Sequence, residues 1–308
     1  MRSAMAFSPC GISGFFEVCN RYKDGRLIEN PLHIGSRGGG IIIAKGATTK
    51  VTLEASSENR VEIYINGNRE EAITSEWIVK EFLGRVGNTY AVNVDHQIES
   101  PIGSGFGTSA AGALSCGLAL SKALNLNLTY NQIAQVAHIA DVVCHTGLGT
   151  VEGLTVGGIV LVVRSGAVGI GLVDRIFASS GLRIIAGSFQ PIKKTNVILS
   201  DKIDDINQLA RKTMKRILTN PCLENFLVNC KTFAFESGLA SNRVKELIKD
   251  AERAGAIGAS QNMIGEAVHA VVKTSALKDI YEVFKNYFNE EKIVISKIDF
   301  QGARLIDS

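Results

Sequence analysis

The chain has 308 residues, of which 45% are hydrophobic and 20% charged, so it is long enough to form two domains with sizeable cores. The net charge is +3 without a dense run of Lys and Arg, which argues against a nucleic-acid partner and suits a small anionic substrate. Six scattered cysteines without CxxC spacing indicate neither a zinc site nor a disulfide framework. No apolar run approaches the roughly 18 residues needed to cross a membrane. The N-terminus also lacks the shape of a signal peptide, and we expect a cytoplasmic protein with no membrane partner.

The segment before residue 101 predicts a sheet with few helices. Alternating patterns favour strands at residues 3–8, 12–17, 41–44, 49–55, 60–66 and 90–96. We expect a turn at 9–11 between the first two strands, and pairing of 49–55 with 60–66. An amphipathic helix is predicted over 75–86, with Ser75 as its N-cap. This opening differs from that of a dinucleotide-binding domain, which begins with a strand, a loop and a helix.

The segment Pro101–Ala111, PIGSGFGTSAA, joins the last of these strands to an apolar stretch that predicts a helix from about Thr108. Glycines allow backbone amides to approach a ligand closely, and the first N–H groups of a helix have no internal partner. The helix dipole adds partial positive charge there, so the segment predicts a phosphate site. It matches neither the P-loop pattern, which needs a lysine, nor the dinucleotide pattern GxGxxG.

The same segment resembles the signature of the GHMP kinases, Pro-x-x-x-Gly-Leu-Gly-Ser-Ser-Ala-Ala. Six positions are identical, while Phe106 stands for the leucine and Thr108 for the first serine. The resemblance implies that this loop binds ATP. The implied ATP-binding residues are Pro101, Gly103, Ser104, Gly105, Gly107, Thr108, Ser109 and Ala110.

Two segments near the N-terminus are similar to those of one GHMP branch, the archaeal pantoate kinases. The first spans residues 9–17 and keeps the Ile-x-Gly-Phe-Phe-Glu pattern, with Ser13 for a threonine. The second is Gly-Ser-Arg-Gly at residues 35–38. A guanidinium held between glycines can bind a carboxylate through two parallel hydrogen bonds. The resemblance implies acceptor-binding roles for Ser13, Gly14, Ser36 and Arg37.

A helix is predicted over residues 128–144, with Thr129 as its N-cap, and it places His138 and Asp141 on one face. In the pantoate kinases the corresponding helix carries a histidine and an acid, usually glutamate, at this spacing. GHMP kinases use such an acid with a serine, here Ser109, to hold Mg²⁺. Carboxylate and hydroxyl oxygens are suitable magnesium ligands. The resemblance therefore implies a metal site at Ser109 and Asp141, and an acceptor-binding role for His138.

The segment 145–158 resembles the GHMP stretch that often carries a catalytic aspartate. Thr150 occupies that position, and Glu152, two residues later, is an alternative acid within reach. Catalytic roles are therefore expected for Asp141, Thr150 and Ser109. Phosphoryl transfer depends mainly on positioning and charge stabilisation, so a missing base need not abolish activity. Arg164 ends a predicted strand at 158–164, and an arginine at this place also resembles the pantoate kinases. The resemblance implies that it holds the acceptor carboxylate or the transferred phosphate.

The second half predicts a strand at 182–187, helices over 203–254, a strand at 267–272, a helix at 277–288 and a strand at 292–298. The loop at 256–265 loosely resembles the third GHMP motif, which packs beside the nucleotide phosphates. We therefore expect an α+β protein with the two-domain GHMP kinase fold. Its mixed sheet domain with the ATP loop would span 1–178, and a ferredoxin-like domain 179–308.

The expected activity is ATP- and Mg²⁺-dependent phosphorylation of the 4-hydroxyl of pantoate to 4-phosphopantoate, on the archaeal route to coenzyme A. One alternative is another GHMP kinase, acting on mevalonate or homoserine. A second is a binding or regulatory protein that kept the fold without catalysis, for which the missing aspartate at 150 is the main support. Pantoate and ATP are the expected small-molecule partners, and the sequence leaves a homodimer open.

Overall fold

The computed structural model describes residues 1–22, 24–190 and 202–307. The strands are β1 (Arg2–Cys19), β2 (Gly35–Ala55), β3 (Arg60–Ile65), β4 (Asn68–Arg69), β5 (Tyr90–Ile98), β6 (Ile159–Arg164), β7 (Leu172–Ile176), β8 (Leu182–Gln190), β9 (Gly258–Gln261), β10 (Glu266–Lys273), β11 (Ile293–Lys297) and β12 (Arg304–Ile306). The helices are α1 (Ile73–Leu83), α2 (Thr108–Leu124), α3 (Tyr130–Val143), α4 (Thr150–Val156), α5 (Ile203–Thr219), α6 (Leu223–Glu236), α7 (Asn242–Arg253) and α8 (Leu277–Lys285).

Within these ranges the strands form two sheets, which confirms the predicted α+β fold. The larger sheet has the order β12-β1-β2-β5-β3-β4, and β6 extends it by pairing with β2 and β7. The smaller sheet has the order β11-β8-β10-β9 and is antiparallel. Helix α2 packs against β1 and β2, while α6 and α7 pack against β9.

Helix α2 is buried along nearly its whole length. Its sequence, TSAAGALSCGLALSKAL, is rich in alanine, glycine and serine, and such small side chains let neighbouring elements approach closely. The helix packs against α1, α3 and the two long strands. This burial fixes the N-terminal end of α2, and with it the glycine-rich loop that leads into the helix.

The expected turn at residues 9–11 is wrong, because β1 is continuous through this region. The pairing of β1 with β2 shifts register between Ser8 and Cys10, so Pro9 lies at a bulge. Proline lacks an N–H group and is tolerated at such an irregularity without the loss of a ladder hydrogen bond. Gly46 lies on the opposite strand, where a Cβ atom would overlap the carbonyl oxygen of Ser8. The two long strands therefore bend together.

Two further expectations for the segment before residue 101 are wrong. The predicted partners at 49–55 and 60–66 do not pair, because β5 lies between them, antiparallel to β2 and parallel to β3. Helix α1 begins at Ile73, and Ser75 is buried inside it rather than capping it. The hydroxyl of Ser75 instead forms a hydrogen bond with Nε2 of the buried His96, at 3.0 Å.

The expected domain limit at residue 178 falls between β7, in the larger sheet, and β8, in the smaller sheet. The chain later returns to the larger sheet, where β12 pairs antiparallel with β1. The division into 1–178 and 179–308 stays a prediction.

Candidate active site

The glycine-rich loop runs from the end of β5 to the start of α2. Gly103, Gly105 and Gly107 have φ values of 74°, 79° and 65°, a region that side-chain-bearing residues rarely adopt. Ala111 is the first residue of α2 whose N–H bonds back within the turn, to the carbonyl of Gly107. Because the first amides of a helix have no intrahelical acceptor, those before Ala111 can receive an anion, and phosphate binding here stays a prediction.

Neighbouring elements hold this loop closely. The N–H of Gly11 on β1 donates to the carbonyl of Phe106 at 3.0 Å, and the Phe106 side chain is buried. A Cβ atom at Gly105 would lie 3.0 Å from the carbonyl oxygen of Asn262, and one at Gly265 would lie 2.7 Å from that of Ser104. The loop at 262–265 therefore lies against the glycine-rich loop, where the third motif was expected.

A cleft of about 410 Å³ opens beside the loop. Its apolar lining includes Ile73, Ile98 and Ile102, and the glycine-rich loop contributes Gly103 and residues 105–109. Clefts of this size, with an apolar wall and a few polar groups, are typical small-ligand sites. Ser104 and Ala110 are buried and are not among the residues that line this cleft.

A buried polar network underlies the cleft. Nδ1 of His96 lies 2.7 Å from the hydroxyl of Thr49, and Nε2 lies 3.0 Å from that of Ser75. The Thr49 hydroxyl also lies 2.6 Å from that of Ser115 on α2. Burial lowers the pKa of His96 to about 4, against a weaker opposing effect of Asp95. The imidazole is therefore neutral at physiological pH and ties β2, β5, α1 and α2 together.

Asp141 and Ser109 meet at the start of α2, as the sequence predicts. The Ser109 hydroxyl donates to Oδ1 of Asp141 at 3.1 Å, and the hydroxyl of Thr146 donates to the same oxygen at 2.6 Å. Asp141 is 1% exposed, and Oδ2 has no hydrogen-bond partner within the part of the chain that the structure describes. A Cβ atom at Gly147 would overlap this oxygen. A buried carboxylate oxygen without a partner, beside a hydroxyl, suits a hard divalent cation.

A narrow cavity lies on the other side of the glycine-rich loop. Ser13, Ser36, Arg37 and Thr150 all contribute to its lining. Thr150, the first residue of α4, reaches the loop itself, because a Cβ atom at Gly107 would lie 2.7 Å from its methyl group. The structure therefore brings four of the predicted site residues together, with Thr150 between the cavity and the loop.

The guanidinium of Arg37 is held by a residue to which the sequence assigned no role. Nε and Nη2 of Arg37 donate to Oε2 of Glu17 at 2.7 and 2.5 Å. The two residues face each other across β1 and β2. The sequence would reveal this contact only if the register between β1 and β2 were known.

His138 is not among the residues that line the cavity. It is 1% exposed, and its Nδ1 lies 2.6 Å from Oε1 of Glu152, which is 2% exposed. Nε2 contacts the carbonyl oxygens of Pro31 and Ile34 at 3.1 and 3.0 Å. Burial is the largest influence on the pKa of His138 and would lower it, but the Glu152 carboxylate and the two carbonyls together raise the pKa above its ordinary value. The His138 side chain therefore ties α3 to α4 and to residues 31–34.

Two other predicted residues also lie outside the cavity lining. A Cβ atom at Gly14 would overlap Sγ of Cys230, so this glycine permits close packing of α6 on β1. Arg164 is exposed at the end of β6 and donates from Nε to the carbonyl of Ile170 at 3.1 Å. Their acceptor-binding roles stay predictions, as does that of His138.

Comparison with known proteins agrees with this geometry. The model of the GHMP kinases N terminal domain matches residues 74–152. The pantoate kinase of Methanocaldococcus jannaschii is 30% identical over 286 residues, which cover 91% of this chain and 97% of the relative. The pantoate kinase of Thermococcus kodakarensis is 30% identical over 277 residues, which cover 87% of each chain.

Solved structures agree as well. A phosphotransferase related to the CoA biosynthesis pathway superposes with a TM-score of 0.88 at 25% identity, over 98% of both chains. A homoserine kinase from Cytophaga hutchinsonii shares the fold, with a TM-score of 0.70 at 16% identity over 99% of this chain and 98% of its own. The family model and these relatives together define a GHMP kinase, an ATP-dependent phosphotransferase that acts on a hydroxyl group. Within that class, the chain belongs to the pantoate kinase family.

Proposed function

We propose that this enzyme transfers the γ-phosphoryl group of ATP to the 4-hydroxyl of pantoate, giving 4-phosphopantoate for coenzyme A synthesis. The observation that carries the proposal is the cavity lined by Ser13, Ser36, Arg37 and Thr150, which adjoins the glycine-rich loop. It offers hydroxyls and one guanidinium, the groups that a small acid with hydroxyl groups requires. The relatives that bear the name pantoate kinase cover nearly the whole chain.

Arg37 is the group that we assign to the pantoate carboxylate. Its guanidinium can donate to an anion in a fixed, planar geometry, and such charge-assisted bonds are about twice as strong as neutral ones. Ser36 lies against Gly149, where a Cβ atom would come within 2.6 Å of the Ser36 hydroxyl. The acceptor would therefore be held between the start of β2 and the start of α4, next to Thr150.

We assign the ATP phosphates to the amides at the start of α2 and Mg²⁺ to Asp141 and Ser109. Bound Mg²⁺ would neutralise the charge that develops on the phosphoryl oxygens. The residues present fit the ion, because Oδ2 of Asp141 is buried without a partner among the described residues. Thr146, which donates to Oδ1, would keep the carboxylate oriented.

Thr150 stands where many GHMP kinases carry an aspartate, and it is not a base. A loose phosphoryl-transfer transition state needs an aligned acceptor more than a strong base. We infer that Thr150 aligns the acceptor hydroxyl and that the proton passes late to the phosphate. The Glu152 carboxylate is paired with His138 and buried, which argues against a role as the displaced base.

A coupled assay of ADP release tests the proposed function. Wild-type protein with ATP and Mg²⁺ should turn over pantoate with a higher kcat/KM than mevalonate or homoserine. Ser109→Ala should lower kcat by orders of magnitude while leaving the fold intact. A higher kcat/KM for another acceptor would show that pantoate is not the preferred substrate. If no acceptor led to ADP release, the kinase assignment would be contradicted.

We propose that the reaction takes place in the cytoplasm, where ATP is available. Among the described residues, no helix has both the length and the apolar character needed to cross a membrane. Assembly as a homodimer stays a prediction that a sedimentation measurement would test.

A further inference from the structure

Glu17 connects the edge of the acceptor cavity to the second half of the chain. Its side chain is 10% exposed, and both carboxylate oxygens are used. Oε2 accepts the two hydrogen bonds from Arg37, and Oε1 accepts one from Nη1 of Arg211 at 2.8 Å. Arg211 lies on α5, 194 residues further along the chain. A single buried carboxylate therefore holds two guanidinium groups from distant parts of the sequence.

Asn207 fixes α5 against the same end of β1. Its Oδ1 accepts the N–H of Val18 at 2.8 Å, and its Nδ2 donates to the carbonyl of Val18 at 3.3 Å. Asn207 and Arg211 are four residues apart, so they lie on the same face of the helix. Because Arg211 is 52% exposed, its position depends on this docking rather than on burial of its own side chain.

The cluster of Glu17, Arg37 and Arg211 carries an excess of one positive charge. Arg37 lines the cavity, and its Nη1 has no hydrogen-bond partner in the portion of the chain that the structure describes. A carboxylate that entered the cavity would neutralise the excess charge and accept from a guanidinium whose orientation is already fixed. Pre-orientation reduces the entropy lost on binding.

We propose that Glu17 and Arg211 determine the acceptor specificity of this enzyme for small hydroxy acids. Glu17 is a positioning residue that turns the guanidinium of Arg37 toward the cavity. Arg211 supplies the second positive charge, without which Glu17 would cancel the charge of Arg37. This inference rests on the proposed function only in requiring an acceptor that carries a carboxylate, whichever hydroxy acid it is.

Glu17→Gln tests whether Glu17 acts by positioning Arg37 or only through its charge, because the two roles change the KM for the acceptor in opposite directions. Removal of a negative charge near the cavity would, by charge alone, lower the KM for an anionic acceptor. Loss of the carboxylate that orients Arg37 should instead raise this KM by about tenfold or more, the effect of one charge-assisted hydrogen bond. The KM for ATP should stay within about twofold of wild type, since the glycine-rich loop is untouched. An unchanged or lower acceptor KM would overturn the positioning role.

Arg211→Gln should also raise the KM for pantoate by about tenfold, and Arg211→Lys should recover part of this loss. The matched control is Lys212→Gln, which removes the same charge from an exposed position next to it on α5. Arg211 is half-exposed, so its variants should fold even if Glu17→Gln does not. Equal KM values for Arg211→Gln and Lys212→Gln would overturn the role of Arg211.

A second readout compares pantoate with its primary amide. Wild type should prefer the acid, and the ratio of kcat/KM for acid over amide should fall by about tenfold in Glu17→Gln and Arg211→Gln. Wild-type turnover of pantoate with an unchanged ratio in both variants would sink this inference and leave the proposed function standing. Failure of wild type to phosphorylate any hydroxy acid would overturn both.

Discussion

At the scale of the single residue, the two carboxylate oxygens of Asp141 differ in their hydrogen-bond partners. Oδ1 accepts from Ser109 and Thr146, whereas Oδ2 is buried with no partner among the described residues. An unsatisfied buried carboxylate oxygen costs free energy, which a folded protein recovers when a ligand binds there. The arrangement therefore exchanges stability for binding, as is common in active sites.

Asp141→Asn should lower kcat by at least about 100-fold, because the position loses the charge that would hold Mg²⁺. The melting temperature should be equal or higher, since the side chain keeps its shape and Oδ2 has no hydrogen bond to lose. Steady-state kinetics over a range of Mg²⁺ concentrations, with thermal unfolding of the same sample, measures both effects. A variant with near wild-type kcat at saturating Mg²⁺ would contradict the assignment of Asp141.

Glu152→Gln should act on stability instead, because it breaks a buried pair with His138. The expected loss is about 3 kcal/mol, typical of removing one partner from such a pair. The pKa of His138 is raised in the folded state. The stability from the pair is therefore fully present below the unfolded pKa, about 6.5, and is lost as pH rises through the folded pKa.

Denaturant unfolding of wild type and Glu152→Gln should thus differ most near pH 6 and less toward pH 9. Glu81→Gln is the control, since Glu81 forms an exposed pair with Arg85 that should contribute under about 1 kcal/mol. At temperatures where Glu152→Gln is folded, kcat should change little. A loss of kcat as large as that of Asp141→Asn would instead identify Glu152 as the displaced base.

Single residues differ in how far the sequence could predict them. Ser109 and Asp141 were found because each lies in a local motif with its own spacing, and the structure brings them together. The contact of Glu17 with Arg211 spans 194 residues and leaves no local pattern. His138 was expected at the acceptor, but its environment is fixed by Glu152 and residues 31–34, which depend on how α3, α4 and the β1–β2 connection pack.

At the scale of elements, the connection between β5 and α2 needs a glycine at Gly107. This residue has φ 65°, and a Cβ atom would lie 2.7 Å from the Thr150 methyl. Gly107→Ala should therefore displace the loop from α4, raise the KM for ATP and lower kcat, each by about tenfold or more. Gly87→Ala is a control without a predicted clash, because nothing lies within 4 Å of its Cβ position. Wild-type kinetics in Gly107→Ala would show that this backbone geometry is unnecessary for catalysis.

The elements that the sequence predicts well are those with local signals. Helix α3 begins after Thr129, whose hydroxyl and Gln132 form a capping box, as the expected N-cap requires. The order of strands was not predictable in the same way, because β5 enters between β2 and β3 through pairing that spans the sheet. The bulge at Pro9 was taken for a turn, since proline and glycine give the same local signal in both settings.

At the scale of the whole molecule, both parts of the chain contribute to the site. The N–H of Met263, in the loop before β10, donates to the carbonyl of Ser13 at 2.8 Å, and Gly265 lies against Ser104. Arg211 of α5, also in the second half of the chain, donates to Glu17 of β1. The cleft and the cavity that we assign to the acceptor therefore depend on the packing of the two sheets together, and loss of either core should disassemble the site.

Each sheet also buries a neutral histidine, which gives the molecule a defined response to acid. His96 lies in the larger sheet and His269 in the smaller one, where Nδ1 of His269 lies 2.9 Å from Oδ1 of Asn262. Burial lowers the pKa of each to about 4. The unfolded chain binds protons at both from about pH 6.5, so the stability that these residues provide is full above that pH and is lost as pH falls toward 4.

Wild type should lose about 2 kcal/mol per histidine between pH 7 and pH 5, at about 1.4 kcal/mol for each unit of pKa difference. His269→Gln and His96→Gln should each be less stable than wild type at pH 7, yet each should show a shallower fall with acid. The two changes should add in the double variant, because the residues lie in different sheets without a shared partner. Denaturant unfolding of the four proteins at pH 7, 6 and 5 gives the slopes. Parallel slopes in all four would mean that neither histidine is kept neutral by burial, and that carboxylates alone control the acid response.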